Sequence, residues 1–271
     1  MIRRRLIALF ATGLVAAWLL PPAATARPRP DEAARAEAIA SALESRGASE
    51  AAIDRMLAAR LGWLRSDVGT DGAVAPMSST QLNASISQPA VYYSTAGHYW
   101  IARAQFSWHH NCGLFGNTEC WYADCFAQGN CGGPDGFALR STRALNEDTT
   151  YFYTYDEKGN LTAWAGPDEM NEAGASWVTT DRLNGSQFPS GIGEKYNWDH
   201  GTLYYYFHVI TCTGLRGAQF KFYSRLYHSW QNTSITGVGV SVFGFSVATG
   251  GGPDFWPLGN NTATVAYLCG Q

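Results

Sequence analysis

Positive charge is scarce in this 271-residue chain: 19 Lys and Arg stand against 22 Asp and Glu, for a formal net charge of −3. The basic run Arg3-Arg4-Arg5 lies at the N-terminus, and no cluster of Lys or Arg follows it. A surface that grips a phosphate backbone needs concentrated positive charge, so the composition argues against nucleic acid and anionic membranes as partners. Long apolar runs are also missing after residue 20, so no transmembrane helix is expected beyond that point. The chain lacks a G-x-S-x-G nucleophile elbow, an H-E-x-x-H zinc site, a phosphate loop and EF-hand spacing. It also lacks a C-x-x-C pair, and with it the usual signature of a zinc ribbon or finger. No catalytic residue, metal or cofactor is therefore expected.

The first 26 residues read as a signal peptide: three arginines, an apolar stretch over Leu6–Leu20, then Pro21-Pro22 and the small-x-small site Ala24-Thr25-Ala26. Cleavage after Ala26 removes three arginines and no acid, leaving 16 basic against 22 acidic residues. The protein is expected to be secreted. In an oxidising compartment the six cysteines, Cys112, Cys120, Cys125, Cys131, Cys212 and Cys269, read as disulfides. The first four are expected to pair among themselves, and Cys212 with Cys269.

Two unlike parts follow the signal. Residues 27–65 are rich in Ala, Glu and Arg, and Ile53, Met56, Leu57 and Leu61 keep the spacing of an amphipathic helix. Gly47 interrupts the pattern and Ser49-Glu50 restarts it, which predicts helices over roughly 31–46 and 49–64. Their apolar stripes are too small to form a core alone. Residues 66–86 read as a linker.

From residue 87 to 271 the hydrophobic period becomes two. Trp100, Ala102, Ala104, Phe106 and Trp108 mark one face of a strand, and 150–155 with 161–165 read as a hairpin. Further strands are expected over 137–141, 176–183, 202–211, 218–229, 235–249 and 262–268. The predicted fold is all-β: an antiparallel β-sandwich, or a barrel-like variant, stapled by disulfides and preceded by the helical segment. This part holds all 14 Tyr, 8 of 10 Trp and 12 of 13 Phe.

Strands 202–211 and 218–229 flank the turn at Cys212–Gly217 and read as a hairpin. In a symmetric register Tyr205, Phe207, Val209, Phe220, Phe222 and Ser224 share the core face. The opposite face carries Tyr204, Tyr206, His208, Tyr223, Arg225 and Tyr227, which are the candidate ligand-binding residues. Tyrosine joins a broad apolar body to a polar tip, suited to stacking on sugar rings while staying wet. The function expected is a non-catalytic binding module for an extracellular glycan or cell-wall polymer. Two alternatives are a glycoside-type hydrolase using carboxylates among Glu119, Asp124, Asp135 and Glu194, and an extracellular protein-interaction or structural protein.

Overall fold

Alanine and glycine set the geometry of the first two elements. The computed structural model describes residues 30–70, 78–79, 84–108, 111–112, 120–121, 134–155, 161–179, 200–229, 233–252, 255–259 and 263–269. Helix α1 spans Pro30–Glu44 and α2 spans Glu50–Leu61. Gly62, in the left-handed region at φ 70°, ends α2 by donating its N–H to the carbonyls of Ala58 and Leu57. The expected boundaries hold to within three residues.

The strands in chain order are β1 Trp63–Arg65, β2 Asp67–Thr70, β3 Ser78–Ser79, β4 Ala84–Ile86, β5 Ala90–Ser94 and β6 Trp100–Trp108. Next come β7 Asn111–Cys112, β8 Cys120–Trp121, β9 Asp135–Ser141, β10 Asn146–Tyr155, β11 Leu161–Ala165, β12 Glu169–Asn171 and β13 Gly174–Thr179. The last are β14 His200–His208, β15 Phe220–Ser229, β16 Ser234–Ser241, β17 Gly244–Gly250, β18 Phe255–Gly259 and β19 Thr264–Ala266. All pairings among the described residues are antiparallel, as the alternating pattern requires.

Two sheets hold most of these strands. The first runs β1-β5-β6-β14-β10-β11, with β4 also on β6 and β3 on β4. The second runs β12-β13-β9-β15-β19-β2, with β18 also on β15. They share one apolar core: Ala102, Ala104, Phe106, Phe152, Leu203, Tyr205 and Phe207 of the first face Phe137, Leu139, Trp177, Phe220, Phe222 and Leu226 of the second. Phe106 stacks on Phe137 across this interface at 4.2 Å between centroids, and Phe207 meets Phe222 at 5.6 Å. The fold is thus mostly antiparallel β-sheet with two short helices.

The outer face of each sheet is covered in a different way. Both helices lie on the first, where Ala33, Ala36, Ala40, Ile53 and Leu57 pack on tyrosines. The two-stranded ribbon β16–β17 lies on the second, where Ile235, Val238 and Val240 pack on Ala138 and Tyr227. Gly136 lets the ribbon approach; a Cβ there would stand 2.4 Å from Val238 Cγ2.

Three expectations are corrected. Residues 202–211 and 218–229 do not form a hairpin: β14 pairs β6 and β10 in the first sheet, whereas β15 pairs β9, β18 and β19 in the second. The connection 209–219 crosses between sheets, and Cys212 within it is joined to Cys269 with a Cα–Cα distance of 5.4 Å. The stretch 235–249 is a tight hairpin rather than one strand: Val242-Phe243 makes the turn, and the Ser241 hydroxyl accepts from the Gly244 N–H at 3.2 Å. Residues 66–86, expected to be a linker, supply β2 to the second sheet and β4 to the first.

Among the described residues one disulfide is seen, Cys212–Cys269, rather than the stapled set expected. The backbones of Cys112 and Cys120 stand opposite each other on β7 and β8. Cys125 and Cys131 lie outside the described residues, as does the signal segment.

Candidate functional site

The six candidate ligand-binding residues all point away from the shared core, as their parity requires, but they belong to two different sheets. Tyr204, Tyr206 and His208 are on β14, whereas Tyr223, Arg225 and Tyr227 are on β15. The two rows therefore lie on opposite outer faces and cannot contact one ligand.

The β14 row is sealed beneath the helices. Tyr204 and Tyr206 are wholly buried, each within about one ring width of Trp63 (centroids 6.1 and 6.0 Å). Acidic side chains of α1 meet the polar atoms of this face. Glu37, 1% exposed, accepts hydrogen bonds from Tyr204 Oη at 2.6 Å and Thr202 Oγ1 at 2.9 Å. Glu32 accepts from Trp63 Nε1 at 2.7 Å and from the Tyr99 hydroxyl. Glu44 accepts from Arg103 Nη2 at 3.1 Å and from Gln105 Nε2 at 2.8 Å. Burial, reinforced by the negative charge of Glu37, pushes the Tyr204 phenol well above its ordinary value. His208 Nδ1 lies 2.7 Å from Asp148 Oδ2. Among the described residues, Tyr204 and Tyr206 present no open ring face to a ligand.

The β15 row, in contrast, floors an open cleft of about 450 Å³. Cross-strand register places Tyr223 opposite Arg140 of β9, Arg225 opposite Gly259 of β18, and Tyr227 opposite Pro257. The tip of the ribbon, Phe243, Gly244 and Phe245, forms the wall. Phe243 is 94% exposed. The guanidinium of Arg140 lies between two rings, 4.4 Å from the Tyr223 centroid and 5.2 Å from that of Phe245. Its Nη1 donates to Val242 O at 3.0 Å, which fixes the ribbon tip. Burial lowers the Arg140 pKa; Tyr223 opposes this and Arg225 adds to it. Burial raises that of Tyr227. The cleft thus offers aromatic faces beside guanidinium groups, an arrangement that can stack on a ring and bind its oxygens.

Alternation along 218–229 points to Tyr223, Arg225 and Tyr227, but not to Arg140, Phe243 and Phe245. Arg140 is the outward position next to the core residue Leu139 on a strand already expected, so its alternation could have found it. The ribbon tip has no such signal, since the apolar run 235–249 continues through the turn.

The other residues considered for chemistry are dispersed. Asp135 is wholly buried, accepting from His228 Nδ1 at 2.7 Å and from the Ser229 backbone N–H at 2.9 Å, with no exposed face. Glu119, Asp124 and Glu194 lie outside the described residues. Among the described residues there is no group of three or more His, Cys, Asp or Glu that could hold a metal ion.

No protein-family description matches the chain, and no curated protein matches it. One solved structure, from work on pH-induced modulation of Streptococcus parasanguinis adhesion by Fap1 fimbriae, is similar over 74% of this chain and 90% of that one. The identity is 9% and the TM-score 0.25, too low to support an argument about fold or function.

Proposed function

We propose that the protein is a secreted, disulfide-containing β-sandwich that binds an extracellular glycan or cell-wall polymer in the cleft on the outer face of the second sheet. The observation that supports this reading is the convergence of Tyr223, Tyr227, Phe243, Phe245, Arg140 and Arg225 on one open cleft. Aromatic planes can take the C–H faces of sugar rings, and guanidinium donors can take their oxygens. The Cys212–Cys269 disulfide and the basic, apolar N-terminal segment support export. No described helix is long and apolar enough to cross a membrane.

The test is retention of the oxidised protein on insoluble cellulose, chitin, starch and peptidoglycan, with supernatants assayed for released sugar. Retention without release is the expected result. Sugar release would move the protein to the hydrolases, and absence of retention on every polymer would count against the reading. A second reading, contact with another protein, is favoured by the exposure of Phe243 and by a ribbon stretch, 233–252, that contains no charged residue. A sedimentation coefficient that rises with concentration in the wild type and not in Phe243→Ser would favour it.

A further inference from the structure

Among the described residues, none neutralises the charge of Arg140. Guanidinium has five N–H donors. Among the described residues one acceptor, Val242 O, meets Arg140, and its buried Nε has no partner. Among the described residues, the charges acting on it are those of Tyr223, Tyr227 and a second cation, Arg225, and none is a carboxylate. Register makes Arg140 and Arg225 diagonal neighbours on one face, since Tyr223 is opposite Arg140 and Arg225 is opposite Ala138. Side chains so placed interact across roughly 7–8 Å, and like charges repel. The backbone also favours the second arginine. A Cβ on Gly259 would stand 2.4 Å from Arg225 Cδ and 3.0 Å from its Nε, so the bare glycine lets that side chain lie along the cleft floor.

Arg140, with Arg225 beside it on the same face, sets guanidinium groups in a cleft of a chain with net charge −3. Guanidinium forks match oxyanions with two parallel hydrogen bonds. We infer that the cleft recognises the acidic group of a glycan, the carboxylate of a uronic-acid residue or a sulfate ester, while Tyr223 and Phe245 contact the sugar ring that bears it. The inference rests on the reading of this cleft as a glycan site. Two arginines flanked by aromatic faces suit a polymer with one acidic group per sugar better than the closely spaced charges of a nucleic acid.

The test is retention of the full oxidised chain on immobilised polygalacturonate, a sulfated galactan, the corresponding uncharged galactan and polyglutamate, at low and high salt. The inference predicts retention on one or both acidic glycans at least about tenfold above the uncharged galactan. That retention falls with salt and is lost to a similar degree in Arg140→Gln. Retention on the sulfated galactan alone assigns the sulfate ester, and on polygalacturonate alone the carboxylate. Equal retention on charged and uncharged galactans overturns the inference and leaves the glycan reading standing. Retention on polyglutamate alone overturns both in favour of an acidic peptide, and no retention on any, the cellulose, chitin, starch and peptidoglycan panel included, removes both. Because Arg140 also fixes the ribbon tip, Arg225→Gln is measured in parallel, with melting curves of both variants. If both melt as the wild type does and still bind acidic glycan undiminished, the arginines are not the recognition element.

Discussion

Tyr204 and Tyr206 sit two residues apart on the same buried face of β14, and their hydroxyls have different fates. That of Tyr204 is bonded to Glu37, whereas that of Tyr206 has no partner among the described residues. A buried hydrogen bond to a charged group is worth about 1.5–3 kcal/mol, and an unmet buried hydroxyl is itself destabilising. Tyr204→Phe should therefore lower stability by about that amount, and Tyr206→Phe should leave it unchanged or raise it by up to about 1 kcal/mol. Denaturant titration of the two variants checks this. The same burial makes the face sensitive to alkali. Burial, then Tyr151 and Glu37, push the Tyr153 phenol up to about 12, and burial, then neighbouring Tyr204 and Glu32, raise that of Tyr206 well above its ordinary value. An unfolded tyrosine titrates near 10, so the folded state binds these protons more tightly. Their contribution is complete below about pH 10 and is lost as pH rises through about 12 and beyond. Melts between pH 9 and 12.5, with tyrosinate absorbance followed in parallel, should show both changes together. A melting temperature flat across that range would contradict the burial of this face.

At the scale of elements, strand parity was legible and strand partnership was not. Alternation along β14 and β15 correctly separated Tyr205, Phe207, Phe220 and Phe222, which fill the core between the two sheets, from Tyr204, Tyr206 and Tyr227, which pack beneath the outer covers. A period of two says which side of its own sheet a residue takes, and it is silent on which sheet a strand joins. The 209–219 connection is compatible with a hairpin or with a crossing between sheets; the crosslink to Cys269 accompanies the second. The Cys212–Cys269 pair closes a separation of 57 residues. Replacing both cysteines by serine should lower stability by about 2–5 kcal/mol, read by denaturant titration. The ribbon illustrates a different limit. Its place depends on Gly136, whose missing side chain leaves room for Val238, and such an approach has no one-residue signature. Gly136→Ala should lower stability by about 1–3 kcal/mol through overpacking. It should also weaken polysaccharide retention, since Phe243 and Phe245 are carried on the same ribbon.

At the scale of the whole molecule, the chain uses two covers of opposite character. The helical cover is fastened by buried polar bonds from Glu32, Glu37 and Glu44 to a tyrosine face that would otherwise be a large aromatic patch. The ribbon cover is apolar and leaves part of the second sheet open, and that gap is the cleft. The sequence contained the residues for both surfaces, and the aromatic excess pointed to one; only the helices, docked rather than free, show which tyrosines remain available. The most direct measurement is the affinity of wild type, Tyr223→Ala and Tyr206→Phe for a retained polysaccharide, with a melting curve for each. Tyr223→Ala should lose about tenfold or more in affinity while melting close to the wild type, and Tyr206→Phe should bind as the wild type does. Undiminished binding by Tyr223→Ala would contradict the assignment of the cleft as the binding site.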